Sequence, residues 1–215
     1  RRNAPTHLEP MGDYPKLLNT FRQYGDWLTS LHIDNVGALN DAIQAGRADE
    51  IVLVSEALHE QNITDIAQQI VQKNSRIILI AGPSSSGKTT SSRRLAIQLL
   101  ARGISPFPLE LDSYFVDRAQ TPLDENGRPD FERLEALDLV RLEQDIEKLL
   151  NGEKVQLPRF NFKAGVRETG DVIQLKDGQP LILEGIHGLN PRLITDHWTG
   201  SAFRVYVSAL TQLNL

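Results

Sequence analysis

Arg76-Ile-Ile-Leu-Ile-Ala-Gly-Pro-Ser-Ser-Ser-Gly-Lys-Thr-Thr90 is where the chain declares its architecture. Its first six residues are apolar and largely β-branched, the composition of a parallel strand buried on both faces. The remainder, Gly82 to Thr90, fits the phosphate-binding pattern G-x-x-x-x-G-K-[ST]. Gly82 and Gly87 let backbone wrap an anion without a Cβ in the way. Pro83, Ser84, Ser85 and Ser86 form the rest of the loop, whose N–H groups, with the start of the next helix, present partial positive charge. Lys88 adds a full charge at the β and γ oxygens, and the Thr89 hydroxyl, followed by Thr90, can ligate Mg²⁺. Ser91 to Arg102 then carries Leu95, Leu99 and Arg102 at helical spacing and is closed by Gly103. Strand, loop and helix in this order predict binding of a nucleoside triphosphate, ATP or GTP, with Mg²⁺.

From residue 75 onward the sequence alternates as α/β proteins do. Ile104 to Leu111 reads as a strand ending in Asp112-Ser-Tyr-Phe115. Asp117 to Asp130 is a polar connection long enough to be a functional loop. Leu139, Leu142, Ile146 and Leu149 mark a helix stopped at Asn151-Gly152. Val155 to Phe162 and Val172 to Leu175 read as a small hairpin, and Pro180 to Glu184 and Phe203 to Val207 as further strands. The expected fold is an α/β parallel sheet of the P-loop NTPase type, flanked by helices.

A small helical region precedes it. Leu17, Phe21, Tyr24, Leu28 and Leu31 follow an amphipathic stripe beginning near Asp13. Val36 to Ala45, Ile51 to His59 and a segment opened by Asn62 read as three more helices. The expected organisation is a helical region over 1–74, part of a longer N-terminal domain, and a P-loop domain over 75–215. No catalytic constellation lies in the helical part, and its apolar stripes point to packing or partner contact.

The chain has 215 residues, of which 40% are hydrophobic, and a net charge of −5 from 23 Lys+Arg against 28 Asp+Glu. That balance predicts no broad attraction to DNA or to an anionic membrane. The lack of cysteine excludes disulfides, Cys-ligated zinc and a thiol nucleophile. With no membrane-length apolar run and no signal peptide, a cytoplasmic location is expected. The first residue is not Met, so a piece of a longer protein is expected as well. Homo-oligomerisation is left open.

Ligands of open α/β sheets lie at the carboxyl ends of the strands. Asp112 follows Pro108-Leu-Glu-Leu111 and can accept the proton of an attacking hydroxyl. Glu184 ends Leu181-Ile-Leu183 and can hold Mg²⁺ directly or through water. Phe160 and Phe162 share one strand face. Their rings either stack on a base or belong to the core. Arg167 offers a planar donor fork to an acceptor molecule. His187 is ambiguous, with a structural role favoured. His7, His32, His59 and His197 show no metal spacing.

The phosphate loop, Leu-Asp-Ser-Tyr-Phe (111–115), Asp130-Phe131-Glu132, Val-Gln-Leu-Pro-Arg-Phe-Asn-Phe (155–162) and Leu-Glu-Gly-Ile (183–186) occur in the order seen in uridine/cytidine kinases. From about Arg76 onward the chain resembles this branch of the phosphoribulokinase/uridine kinase group of P-loop kinases. With Glu56-Ala-Leu-His-Glu60 and Glu184-Gly-Ile-His-Gly-Leu-Asn190, the whole chain resembles a longer bacterial form. There, helical regions related to threonyl-tRNA synthetase domains precede the kinase. The resemblance implies transfer of the γ-phosphate of ATP or GTP to a nucleoside 5′-hydroxyl. By motif position it makes Asp112 the base, with Lys88 at the phosphates and Thr89 and Glu184 serving Mg²⁺. Tyr114 and Glu132 fall near the substrate, and Phe160 and Phe162 line the base pocket. Gly165 stands where the family has a histidine that reads the pyrimidine edge. Weak activity on uridine and cytidine is therefore expected, improved by Gly165→His. The family's lid arginines are expected beyond Leu215.

Two in-class alternatives are a kinase for a sugar phosphate and one for a vitamin precursor. A different class is a nucleotide-binding regulatory module whose helical region engages RNA or protein. A regulatory GTPase is disfavoured, because no Asn-Lys-x-Asp sequence occurs.

Overall fold

The computed structural model describes residues 15–194, 198 and 200–208, and the side chains of 15–18 and 21 fall outside that description. The expectations that rest on Asp13, on the side chains of Leu17 and Phe21, and on His7 and His197 lie outside the described residues.

Strand β1 (Ile77–Ala81) is buried along its whole length. It pairs in parallel with β5 (Leu181–Glu184) on one side and β6 (Ala202–Tyr206) on the other, and β5 pairs in parallel with β2 (Phe107–Glu110). The sheet order is therefore β2-β5-β1-β6. Successive side chains of a strand point to opposite faces, and β1 feeds two cores in this way. Ile78 and Ile80 join Leu95 and Leu99 of helix α4 (Lys88–Leu100) and Ile63, Ala67 and Ile70 of helix α3 (Ala48–Gln72). Ile77 and Leu79 join Leu142, Ile146 and Leu149 of helix α5 (Leu139–Leu150). A strand covered by helices on both faces has no polar side, which explains its unbroken apolar sequence. The α/β parallel sheet flanked by helices agrees with the sequence expectation.

Asp138 caps α5 by accepting from the Arg141 N–H, 3.0 Å away. Strands β3 (Val155–Asn161) and β4 (Val166–Ile173) form a separate antiparallel pair. The second strand begins earlier than the expected Val172, because the turn at 162–165 closes as soon as Gly165 takes φ +70. Leu157 and Phe160 of β3 belong to the same core as α5.

The helical region departs from expectation in one respect. Helix α1 (Pro15–Ser30) and helix α2 (Val36–Gln44) form as read, but Ile51 to His59 and the segment from Asn62 are one helix, α3. Asn62 has the side chain of a cap, yet no Gly or Pro interrupts the chain there, so the backbone ladder runs on through it. The compact units divide between Leu58 and His59, inside α3, rather than near Asn74. The apolar side chains of the second half of α3 pack on β1 and so belong to the sheet unit. In the other unit Leu28, Ile33, Ala42 and Ile51 form a small core. No helix among the described residues is long and apolar enough to cross a membrane.

Tyr114 does not face a ligand, contrary to what its motif position implied. It is 0% exposed, within the 3-10 turn Leu111–Tyr114, and its hydroxyl donates to Asp145 Oδ2 at 3.2 Å. Asp145, 2% exposed, also accepts from Arg141 Nε at 2.8 Å. Burial, then the Asp145 carboxylate, push the Tyr114 phenol far above its ordinary range, so it stays a donor. Asp145→Ala should cost about 1–3 kcal/mol in urea unfolding, the penalty of one orphaned buried donor, since half-exposed Arg141 can turn to water. Asp145→Asn, which keeps an acceptor for Tyr114, should cost less. Equal losses in the two variants would show that the hydrogen bond is not what matters.

Candidate active site

The parallel register sets Ile80 beside Glu184 and Glu110 beside Glu184. The carboxyl ends of three adjacent strands thus bring together the phosphate loop after β1, Asp112 just after β2, and Glu184 at the end of β5. The two loop glycines have different tasks. A Cβ on Gly82 would collide with the Val207 carbonyl oxygen and crowd Ser86 Oγ at 2.8 Å, so the loop can leave β1 past the end of β6 only without a side chain. Gly87 instead adopts φ +89, the left-handed conformation that starts α4. Ser85 is left-handed as well, at φ 59.

The loop suits an anion. Among the described residues, the N–H groups of Ser84, Ser85, Gly87, Lys88 and Thr89 make no hydrogen bond within the chain, and Ser86 Oγ is buried without a partner. Unpaired donors curled round the N-terminus of a helix of thirteen residues are the chemistry of a phosphate cradle. Lys88 Nζ donates to the Pro83 carbonyl at 2.8 Å, so its charge lies folded over the loop. Thr89 Oγ1 donates to Glu184 Oε1 at 3.0 Å. A hydroxyl and a carboxylate in contact beside an anion cradle fit Mg²⁺, which keeps most of its waters and needs few protein ligands.

Asp112 opens to this cleft. Desolvation by the surrounding protein, then the Glu110 carboxylate, raise its carboxyl above the usual range, while Lys88 and His187 act to lower it. His187, three residues past Glu184, has its imidazole pushed down by burial, against a hydrogen bond with the Arg133 backbone and the charges of Glu135 and Asp112. Its Nε2 is buried without a partner. The sequence left this histidine ambiguous. Its place after the same strand end as Glu184 was the one signal pointing to the site.

The side chains expected at the acceptor separate into two groups. Phe160 is 6% exposed and is core, stacked edge-on with Phe115, Phe131 and Phe162. Phe162 is 58% exposed and keeps a free face. Glu132 is exposed in the loop, its N–H bonded to Asp130. Arg167 is not free for an acceptor molecule: its guanidinium donates to Asp138 at 2.8 Å and to the Phe115 carbonyl at 3.3 Å. Burial opposes ionisation of Asp138, but the bonds from Arg141 and Arg167 outweigh it and hold the carboxyl below its ordinary range. Gly165→His, expected to improve pyrimidine activity, would also strain a left-handed residue at φ +70. A Cβ at this left-handed residue would stand 2.7 Å from Nε and Cζ of Arg118. Sequence reasoning passed over Arg118, which has no motif to mark it.

The sequence model of the Phosphoribulokinase / Uridine kinase family matches residues 77–215. The chain is 34% identical over 116 residues to a uridine kinase of Anoxybacillus flavithermus, covering 54% of each chain. It is 28% identical over 117 residues to a uridine kinase of Halobacterium salinarum, covering 54% of this chain and 50% of that one. The chain spans about half the length of the curated relatives it matches. A solved structure described as a possible uridine kinase from Bacillus stearothermophilus aligns with a TM-score of 0.46 at 23% identity, covering 61% of this chain and 70% of that one.

The raised carboxyl of Asp112 has a consequence for stability. A carboxyl that holds its proton more tightly when folded binds more protons in the native than in the unfolded state. Stability then falls as pH rises from just below 3.8 through the folded value. Asp112→Asn should therefore raise Tm at pH 7 and change it little at pH 3. An equal shift at both pH values would mean that the carboxylate is not the source. Gly165→His should lower Tm at every pH, because it strains the turn and displaces Arg118; an unchanged Tm would contradict that geometry.

Proposed function

The chain belongs to the phosphoribulokinase/uridine kinase family, and from that premise we propose that it is a kinase moving the γ-phosphate of ATP or GTP to a hydroxyl of a small molecule. The observation that carries this is the meeting of an anion cradle, a Thr89–Glu184 pair and a raised carboxyl at Asp112 on three neighbouring strand ends. The bound nucleotide with Mg²⁺ would supply the phosphoryl group and the cation that neutralises it. Every other role falls to the chain. The loop N–H groups and Lys88, once released from the Pro83 carbonyl, would hold the phosphates. Thr89 and Glu184 would hold the cation through their oxygens. Asp112 receives the proton of the attacking hydroxyl, and its carboxyl is raised above the ordinary aspartate range. Nucleosides are the first acceptors to try, in keeping with the relatives' names. A sugar phosphate and a vitamin precursor remain in the same panel. A regulatory module that senses ATP without transfer would release no ADP in response to any acceptor.

The decisive experiment is acceptor-dependent ADP release by the full-length protein over nucleosides and sugar phosphates. Lys88→Ala should abolish transfer and weaken ATP binding; ATP affinity equal to the parent's would remove Lys88 from the phosphates. Asp112→Asn should leave ATP affinity nearly intact and lower kcat by about 10²–10⁴, the usual worth of a positioned base. A parallel loss of ATP affinity would make Asp112 a metal or scaffold residue instead.

A further inference from the structure

The turn that follows Glu184 is held against the turn that carries Asp112. Gly185 packs so closely on Leu111 that an added Cβ would stand 2.8 Å from the leucine's Cβ and Cδ1. Gly188 admits no Cβ either, because the Ile80 carbonyl oxygen would lie 2.8 Å from it. The Gly185 N–H donates to that same oxygen at 3.1 Å, and the Gly188 N–H to the Gly185 carbonyl at 3.2 Å. Two close approaches and two bonds thus fix residues 185–188 between the end of β1 and the turn Leu111–Tyr114. His187 is the one polar side chain that this turn carries.

Its imidazole is half satisfied. A hydrogen bond with the Arg133 backbone favours the protonated ring, so the imidazole is the donor in it. Nε2 is buried without a partner, which assigns that bond to the other ring nitrogen. Burial pushes the imidazole down from 6.5, so at pH 7 the ring is chiefly neutral. A neutral imidazole that donates through one nitrogen keeps a lone pair on the other. Asp112 is exposed to the cleft, and among the described residues nothing donates to its carboxylate. The two groups act on each other, Asp112 drawing the imidazole up and the imidazole drawing Asp112 down. The other charges around them are Glu110 and Lys88 beside Asp112, and Glu135 beside His187. Glu135 is itself paired with Arg192 at 3.0 Å and Arg133 at 4.0 Å.

We propose that His187 is a positioning residue for Asp112, its Nε2 lone pair receiving the O–H that Asp112 acquires on taking the acceptor's proton. A lone pair facing an ionised carboxylate has no proton to share, and no bond joins the two here. When the attacking oxygen takes the phosphoryl group, its O–H bond breaks and the proton passes to Asp112. The new carboxyl O–H then donates to Nε2, and nothing is oxidised or reduced. A bond open only to the protonated base favours the step that protonates it and leaves the ionised starting state as it was. The Arg133 backbone holds the ring from its other nitrogen meanwhile. This role rests on the kinase reading for its setting.

The test uses the full-length protein and reads the pair in two ways. The first is the His187 ring nitrogens, followed by long-range proton–nitrogen correlation NMR at neutral pH without substrate. Asp112→Asn sets an amide donor where the protonated carboxyl would be, and Asp112→Ala sets none. The Nε2 resonance should take the hydrogen-bonded position in Asp112→Asn alone; identical Nε2 resonances in the two variants overturn the proposal. The second is ADP release with Mg·ATP and uridine, guanosine or ribose 5-phosphate. His187→Phe keeps the bulk of the ring without the lone pair. It should lower kcat about tenfold, the worth of one hydrogen bond, and leave KM for ATP and acceptor unchanged. His187→Gln restores an acceptor oxygen and should recover most of that loss. Added to Asp112→Asn, His187→Phe should cost little more; losses that multiply would make His187 a scaffold residue and overturn the proposal. ADP release unaltered in His187→Phe overturns this role and leaves the kinase reading standing. A shifted Nε2 resonance with no ADP release from any acceptor does the reverse.

Discussion

The parallel register that places Ile80 beside Glu184 is the constraint on which the rest of the site depends. Once β1 and β5 are aligned so, the loop leaving β1 and the carboxylate ending β5 must meet, and Thr89 at the head of α4 closes the contact at 3.0 Å. The register is itself enforced by burial. β1 and β5 are central strands whose side chains feed cores on both faces, and a one-residue slip would turn each apolar set to the wrong side. The same crowding shapes the loop, because the Val207 backbone passes so near Gly82 that only glycine fits. The candidate phosphate site is thus rigid for reasons that lie in the sheet.

Charge in the cleft is balanced unevenly. Lys88 is folded onto the Pro83 carbonyl, with Asp112, Glu110 and Glu184 gathered at neighbouring strand ends. Desolvation raises Asp112 first, and the nearby Glu110 carboxylate adds to it. His187 sits in the same balance, its imidazole pushed down by burial against the pull of Glu135 and Asp112.

The hairpin obeys a different logic. It is a separate two-stranded sheet, fixed by the Phe115, Phe131, Phe160 and Phe162 ring cluster and by hydrogen bonds to residues 115–118 and 138. Arg167 is spent on this anchoring, and Phe160 is spent on the core, since a two-stranded ribbon is marginal alone and needs such packing. Phe162 instead stays turned outward, 58% exposed.

The sequence by itself determined the sheet unit and the phosphate loop. Local signals suffice there: an apolar run for a twice-covered strand, glycines where the backbone must bend or pass closely, and Thr89 fixed to Lys88 by adjacency. Asp112 and Glu184 were legible because a strand end is a place that sequence can locate. The continuity of α3 was not, since Asn62 looks like a cap until the ladder on both sides of it is seen. Nor could the sequence separate Phe160 from Phe162, see that Arg167 is engaged, or recognise Tyr114 as core. Each of those outcomes depends on partners far along the chain, such as Asp145 for Tyr114 and Asp138 for Arg167. Only the tertiary structure decides them, because a side chain is spent or spare according to what folding brings against it.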